Sequence, residues 1–282
     1  MAITTQDINK LRQLTGVGMM DCKKALVEAN GDFEKAIELL RKKGQKIATS
    51  RAANSTMEGV VCAHVNEQHN EGFIIALSCE TDFVAKNDTF QQLAQDILLA
   101  AVAQKPANTQ MLSSLTIANS TIQDCIVELM GKMGEKITIS AYATLQSDVV
   151  VPYLHTGNKL SVLVGLQGAT GDAVIAAGKD IAMQIAAMNP VAVSKEHVDP
   201  SVIEKELEIA REQAKNESSP ANLLDNIAQG KLKKFFKENT LLAQPFVKNN
   251  TLSVAEYLNQ VAPGLTVSAF KRITVGVQND LA

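Results

Sequence analysis

One helical segment occurs twice in this chain, and that repeat narrows the fold more than any other feature. QDILLAAVAQKP (residues 95–106) and KDIAMQIAAMNP (residues 179–190) align at one constant offset, pairing Asp96 with Asp180, Ile97 with Ile181, Ala103 with Ala187 and Pro106 with Pro190. Each copy ends on a proline, which cannot continue a helix. Each also follows strand-like sequence. EGVVCAHV (58–65) and FIIALS (73–78) flank the turn NEQHNEG (66–72) as a hairpin before the first copy. KITISAYATL (136–145), VVVPYLH (149–155) and KLSVLVGLQ (159–167) form a second sheet pattern before the other. The expected fold class is therefore α+β, with a core of two similar subdomains, each a small antiparallel sheet backed by a helix.

The flanks differ from the core. Residues 1–44 read as three short helices. Thr4 with Asp7 resembles a capping box, Ile8, Leu11 and Leu14 mark one face, and Gly16 ends the first helix. Asn30-Gly31 stops the second, and Asp32 caps a third whose Ala36, Ile37, Leu39 and Leu40 face inward until Gly44. So small a helical core is marginal alone, which suits a partner-binding module. Residues 45–56 read as a linker. Residues 199–240 are charged and helical, with Ile203, Leu207 and Ala210, a break at NESSP (216–220), then Leu223, Ile227 and Leu232. That pattern predicts a protruding antiparallel helical hairpin, a coiled coil that is also a candidate surface for a homodimer. TVSAFKRITVGV (266–277) alternates as a strand and is expected to join a sheet already begun. The division that follows is 1–44, linker 45–56, 57–140, then 141–198 with 241–265, the hairpin 199–240, and a C-terminal strand module 266–282.

Composition excludes several classes. The net charge of −3 supplies no global basic field, so neither direct nucleic-acid contact nor membrane binding is expected. No apolar run is long enough to span a bilayer, and four dispersed cysteines without CxxC spacing fit reduced thiols in a cytoplasmic protein. KLKKFFK (231–237) has the composition of an RNA-stacking or membrane-surface patch. The acidic balance elsewhere favours packed Leu232, Phe235 and Phe236 with solvated lysines. No phosphate-loop, dinucleotide or zinc-protease motif occurs. Cys79 and His155 are imaginable as a thiol nucleophile and its base, but Cys79 closes an apolar strand, where a cysteine behaves as a small hydrophobe. The chain is expected not to be an enzyme and to need no cofactor or metal.

Two stretches suggest contact with a partner. In SCETDFVAKND (78–88), Phe83 follows a buried-looking strand yet stands among polar residues. Either the ring folds back over its own sheet, or it is a wedge for a partner's apolar pocket, with Asp82 rearranging polar groups there. In TGVGMMDCKKAL (15–26), Met19 and Met20 are adjacent on a helix and so lie about 100° apart. Either one enters the three-helix core and the other is an adaptable exposed contact, or both are partly buried filler.

These residues carry a family resemblance. TGVGMMDCKKALVEANGDFEKAIELLRKKG (15–44), ETDFVAKNDTF (80–90) and IAQGKLKKFFKENTLLAQPFV (227–247) resemble, in order, three signatures of bacterial elongation factor Ts. The resemblance implies a ubiquitin-associated-like N-terminal module, two similar core subdomains and a coiled-coil hairpin. It also implies guanine-nucleotide exchange on elongation factor Tu in translation elongation. By motif, Thr81, Asp82, Phe83 and Val84 form the loop that inserts near the partner's Mg²⁺ and phosphate site. Arg12, Met19 and Met20 would contact its G domain, and His155 would make a further contact. At His155 the sequence departs from the family's commoner pattern, with a longer spacing to the strand and Lys159 where Arg is usual. The alternative is an interaction adaptor that binds a helical or ubiquitin-like partner without altering nucleotide.

Overall fold

The computed structural model describes residues 3–216, 224–277 and 279. Three helices open the chain: α1 (Thr5–Thr15), α2 (Met19–Glu28) and α3 (Phe33–Ser50). There follow β1 (Glu58–Val65), β2 (Glu71–Cys79), the one-turn α4 (Asp82–Ala85), α5 (Asp88–Gln104) and α6 (Thr109–Ser114). Next come β3 (Thr116–Ile117), β4 (Ser120–Thr121), α7 (Ile122–Met133), β5 (Thr138–Gln146), β6 (Val149–Leu154), β7 (Leu160–Gln167) and α8 (Asp172–Met188). The last elements are α9 (Pro200–Asn216), α10 (Leu224–Asn239), β8 (Pro245–Phe246), β9 (Asn249–Ser253), α11 (Val254–Val261) and β10 (Thr266–Thr274).

Mixed helix and antiparallel sheet define an α+β fold. One sheet has the order β1-β2-β5 and the other β10-β7-β6, with every pairing antiparallel. The sheets face each other through Val61, Ile74, Ala76, Leu145, Val150, Leu163 and Ile273. The outer face of the first, with Phe73, Ile75 and Leu77, packs on Phe90 and Ile97 of α5 and on Ile126 and Leu129 of α7. The outer face of the second, with Val162, Val164 and Leu166, packs on Ile181 and Ile185 of α8 and on Val254 and Leu258 of α11. The result is a four-layer helix–sheet–sheet–helix stack. Burial on both faces explains why the central strands β2 and β7 read as continuous apolar runs. Each fully buried Ile, Leu or Phe there contributes about 1.5–3 kcal/mol.

Three expectations need correction. KITISAYATL lies mainly in β5, which pairs with β2 of the first sheet (Phe73 with Thr144, Ile75 with Tyr142) rather than joining the second. A boundary at residue 140 therefore cuts through a strand. Strand pairing across four intervening helices leaves no local trace, so chain order alone misplaced it. The third helix does not stop at Gly44 but continues to Ser50, through the first half of the stretch read as a linker. Gly44 is there for contact: a Cβ on it would lie 2.7 Å from the Val127 carbonyl oxygen of α7. Finally, TDFV is not an open loop, since Asp82–Ala85 forms the single helical turn α4.

The N-terminal helices follow the sequence closely, except that Leu14, read on the apolar face of α1, is 63% exposed. Thr4 and Asp7 make a reciprocal capping box, Gly16 ends α1 at φ 67°, and Asp32 caps α3 by accepting from the Lys35 amide. Ile8, Leu11, Cys22, Leu26, Ala36 and Leu40 form their core. β10 pairs with β7, setting Phe270 opposite Val164. In the hairpin, α9 and α10 bury Ala210, Ala214, Ala228 and Leu232, and Arg211 Nε lies 3.0 Å from Asp225. Phe235 and Phe236 are half-buried and meet edge to face. The expected break at NESSP falls almost wholly, and Leu223 entirely, outside the described residues.

Candidate functional site

The site is built around α4. β2 delivers Cys79 into the core, and the chain then turns at Glu80 and Thr81. Successive residues of the following turn lie about 100° apart. Val84 and Ala85 fall inward, with Val84 only 7% exposed, while Phe83 falls outward at 82% exposed. The inward pair anchors the turn on the β1–β2 sheet. Phe83 therefore does not fold back over its own sheet, and Val84 belongs to the core rather than to the free surface.

Two carboxylates brace this turn. Glu135 accepts from the Thr81 amide at 3.0 Å and from the Thr81 hydroxyl at 2.6 Å. Glu80 accepts from Arg51 Nη1 (2.7 Å), Asn54 Nδ2 (2.8 Å) and the Lys136 amide (2.6 Å). Burial alone would raise the Glu80 pKa, but the Lys136 amide, Asn54 and Arg51 together outweigh it and hold the carboxyl below its ordinary value. Asp82 pairs with Lys86 one turn on at 2.7 Å. That bond, helped through space by Lys159, lowers the Asp82 pKa.

Lys159 also links the second sheet to this region. It pairs with Glu58 at 2.5 Å, and the neighbouring Asn158 carbonyl accepts from the Val61 amide at 2.7 Å. The β6–β7 turn carrying His155 is thereby held against β1, the strand beside β2. His155 is exposed, with Nδ1 2.9 Å from the Tyr153 hydroxyl. At the other end of the region, the turn after α1 rests on α7, since a Cβ on Gly16 would touch the Lys132 side chain at 3.6 Å. Arg12, Met19 and Met20 flank that turn and are all exposed, Met20 at 66%. Neither methionine enters the three-helix core.

The structure thus connects the three groups of predicted residues through short paths: the C-terminal end of α7, where Lys132 lies against Gly16 and Glu135 holds Thr81, and the Glu58–Lys159 pair. Glu80, Glu135 and Lys132 were not found from the sequence. Each is an ordinary charged residue, and its importance comes from tertiary position. Cys79 is fully buried, and burial, with Glu135 and Glu58 adding, pushes its thiol up to about 12. A thiol held protonated in this way is a poor nucleophile. Among the described residues no cluster of His, Cys, Asp or Glu could hold a metal ion, and no helix is long and apolar enough to cross a membrane.

An exposed aromatic on a turn braced by two carboxylates, together with an exposed methionine pair, has the character of a docking surface rather than of a catalytic pocket. The family model described as Elongation factor TS matches residues 80–277. Curated relatives named elongation factor Ts match along nearly their whole length. The one from Amoebophilus asiaticus is 66% identical over 276 residues, 98% of this chain and 100% of its own. That of Cytophaga hutchinsonii is 50% identical over 274 residues, covering 97% and 99%. That of Porphyromonas gingivalis is 49% identical over 278 residues, covering 98% and 99%. The chain belongs to the elongation factor Ts family.

Proposed function

We propose that the α4 turn is the element through which this chain releases GDP from elongation factor Tu. Membership of the family makes the chain a guanine-nucleotide exchange factor for that GTPase in translation elongation. The observation that carries the loop mechanism is the outward Phe83 on a backbone held by Val84 inside and Glu135 outside. A large ring kept in water costs free energy in the unbound factor, and a partner's apolar pocket would recover it. Asp82 travels with the ring and brings a negative charge.

A phosphate-loop GTPase holds GDP through backbone amides, a lysine and Mg²⁺. Phe83 and Asp82, inserted beside that site, would displace groups that anchor the ion and the β-phosphate. Factor and nucleotide then weaken each other's binding reciprocally, and incoming nucleotide expels the factor. Each 1.4 kcal/mol of lost anchoring loosens GDP about tenfold. No covalent step is needed, which suits a buried, protonated Cys79. Arg12, Met19, Met20 and His155 would supply flanking contacts.

The same reading takes the two sheet-plus-helix halves as a duplicated unit. Their third strands are bulged at matching places, at Ser140 beside Ala76–Leu77 and at Ser268 beside Gly165–Leu166. The three-helix module is read as ubiquitin-associated-like, and α9–α10 as a coiled coil available for self-association.

The test is release of labelled GDP from elongation factor Tu. The chain should accelerate it, and Phe83→Ala should abolish most of the acceleration while melting like the parent. Full acceleration by Phe83→Ala would overturn the loop mechanism. Tight binding without any acceleration by the parent would favour a simple adaptor.

A further inference from the structure

We infer that Glu135 and Glu80 are positioning residues for exchange, the first aiming the Phe83 turn and the second fixing the helical module beside it. This rests on the loop reading above.

Thr81 occupies the N-cap position of α4, yet its hydroxyl makes no cap bond. The hydroxyl goes instead to Glu135, whose two oxygens take the Thr81 hydroxyl and amide separately. A single helical turn has little stability of its own. Its direction is therefore set by what grips its ends, and at the leading end that grip is Glu135, just past the α7 C-cap Gly134. Each bond is charge-assisted, so each is stronger than a neutral cap bond.

Glu80 serves a different set of partners. Arg51 and Asn54 lie just after α3, and both donate to it. Lys136, whose amide also donates to Glu80, returns its ammonium to the Ala52 and Asn54 carbonyls at 2.6 and 2.8 Å. The end of α3 is thus stitched to the start of the wedge turn and to the end of α7. Higher up, α3 and α7 touch at Gly44 and Gly131. Two attachments along one helix pair fix where Met19 and Met20 stand relative to Phe83. Two docking groups on one rigid frame act together with a high effective concentration, and a loosened frame forfeits that advantage.

The two carboxylates therefore separate in kinetics. Glu135→Gln removes one acceptor and offers an amide to the Thr81 N–H, so the maximal rate of GDP release should fall about tenfold with little change in half-saturating factor concentration. Arg51→Ala should do the opposite, raising the half-saturating concentration about tenfold and the maximal rate changing far less. Thr81→Val should match Glu135→Gln, and the double variant should be no slower than either. A merely structural role would not produce that coupling. Parental maximal rates for both Glu135→Gln and Thr81→Val, with the parent active, would overturn the inference. An inactive parent would instead overturn the loop reading beneath it.

Discussion

Gly44 and Gly131 meet backbone to backbone where α3 crosses α7: a Cβ on Gly131 would stand 3.1 Å from the Gly44 Cα. A Cβ on Gly44 would be worse placed, 2.7 Å from the Val127 carbonyl oxygen, an atom that cannot swing aside. Gly44→Ala should gain about 1 kcal/mol of helix propensity but lose about 1–3 kcal/mol to overpacking. The expected result is a lower melting temperature, with the N-terminal helices loosened first. Thermal unfolding of the full chain checks this, and a raised melting temperature would show that the crossing has slack.

Phe83 and Val84 are adjacent in sequence and should be opposite in phenotype. Truncating an interface anchor costs on the order of 2 kcal/mol, so Phe83→Ala should weaken action on elongation factor Tu roughly 30-fold. Its melting temperature should stay at the parental value. Val84→Ala removes buried methyl groups and should cost about 1–3 kcal/mol of stability. Paired melting curves and exchange rates would expose any mixing of the two roles.

Met19 and Met20 flank a turn and bury little in their own module. Replacing both with alanine should leave the far-ultraviolet spectrum and melting unchanged while weakening complex formation several-fold. Titration calorimetry against the GTPase reads both arms. A collapse of the helical signal would move these side chains into the core.

The thiols of Cys62 and Cys79 are pushed up to about 11 and about 12, chiefly by burial. At pH 8 almost none of either is thiolate, so an alkylating reagent should modify both far more slowly in the folded chain than in urea. Cys79→Ala should retain exchange. Rapid labelling of Cys79 in the native chain would be incompatible with this packing.

Glu80 should make the frame sensitive to acid. Its pKa in the folded chain lies below the ordinary value of 4.5, so its contribution is present above that value and fades as pH falls through the lower, folded one. Acidification below about 4.5 should therefore weaken the hold on Arg51 and Asn54. The parent should lose more stability over that window than Glu80→Gln does, in melting curves taken across the range. Parallel losses would assign the acid sensitivity to other groups.

Much of the fold was legible because it was written locally. Caps at Thr4 and Asp32, stops at Gly16 and Pro106 and the apolar run 73–78 each announce themselves within a few residues. What was missed depends on distant partners. Nothing near Gly44 reveals that Val127 will lie against it, so a contact glycine passed for a helix end. β5 was assigned by chain order, although its partner β2 lies beyond four helices. At the site, the motif located Phe83, but two readings of the ring remained because its direction depends on Val84 being buried. Glu135 carried no signal at all, and Glu80 only its place at the head of a quoted motif, since a brace is defined only by what it holds.

β10 closes the second sheet against β7, although the two strands are separated by roughly a hundred residues. During synthesis, one edge of β7 must therefore wait unpaired while the hairpin and α11 are being made. An open apolar strand edge is an invitation to aggregate. Chains terminated before residue 266 should then be insoluble rather than merely inactive, and β10 acts as the latch that closes the second sheet.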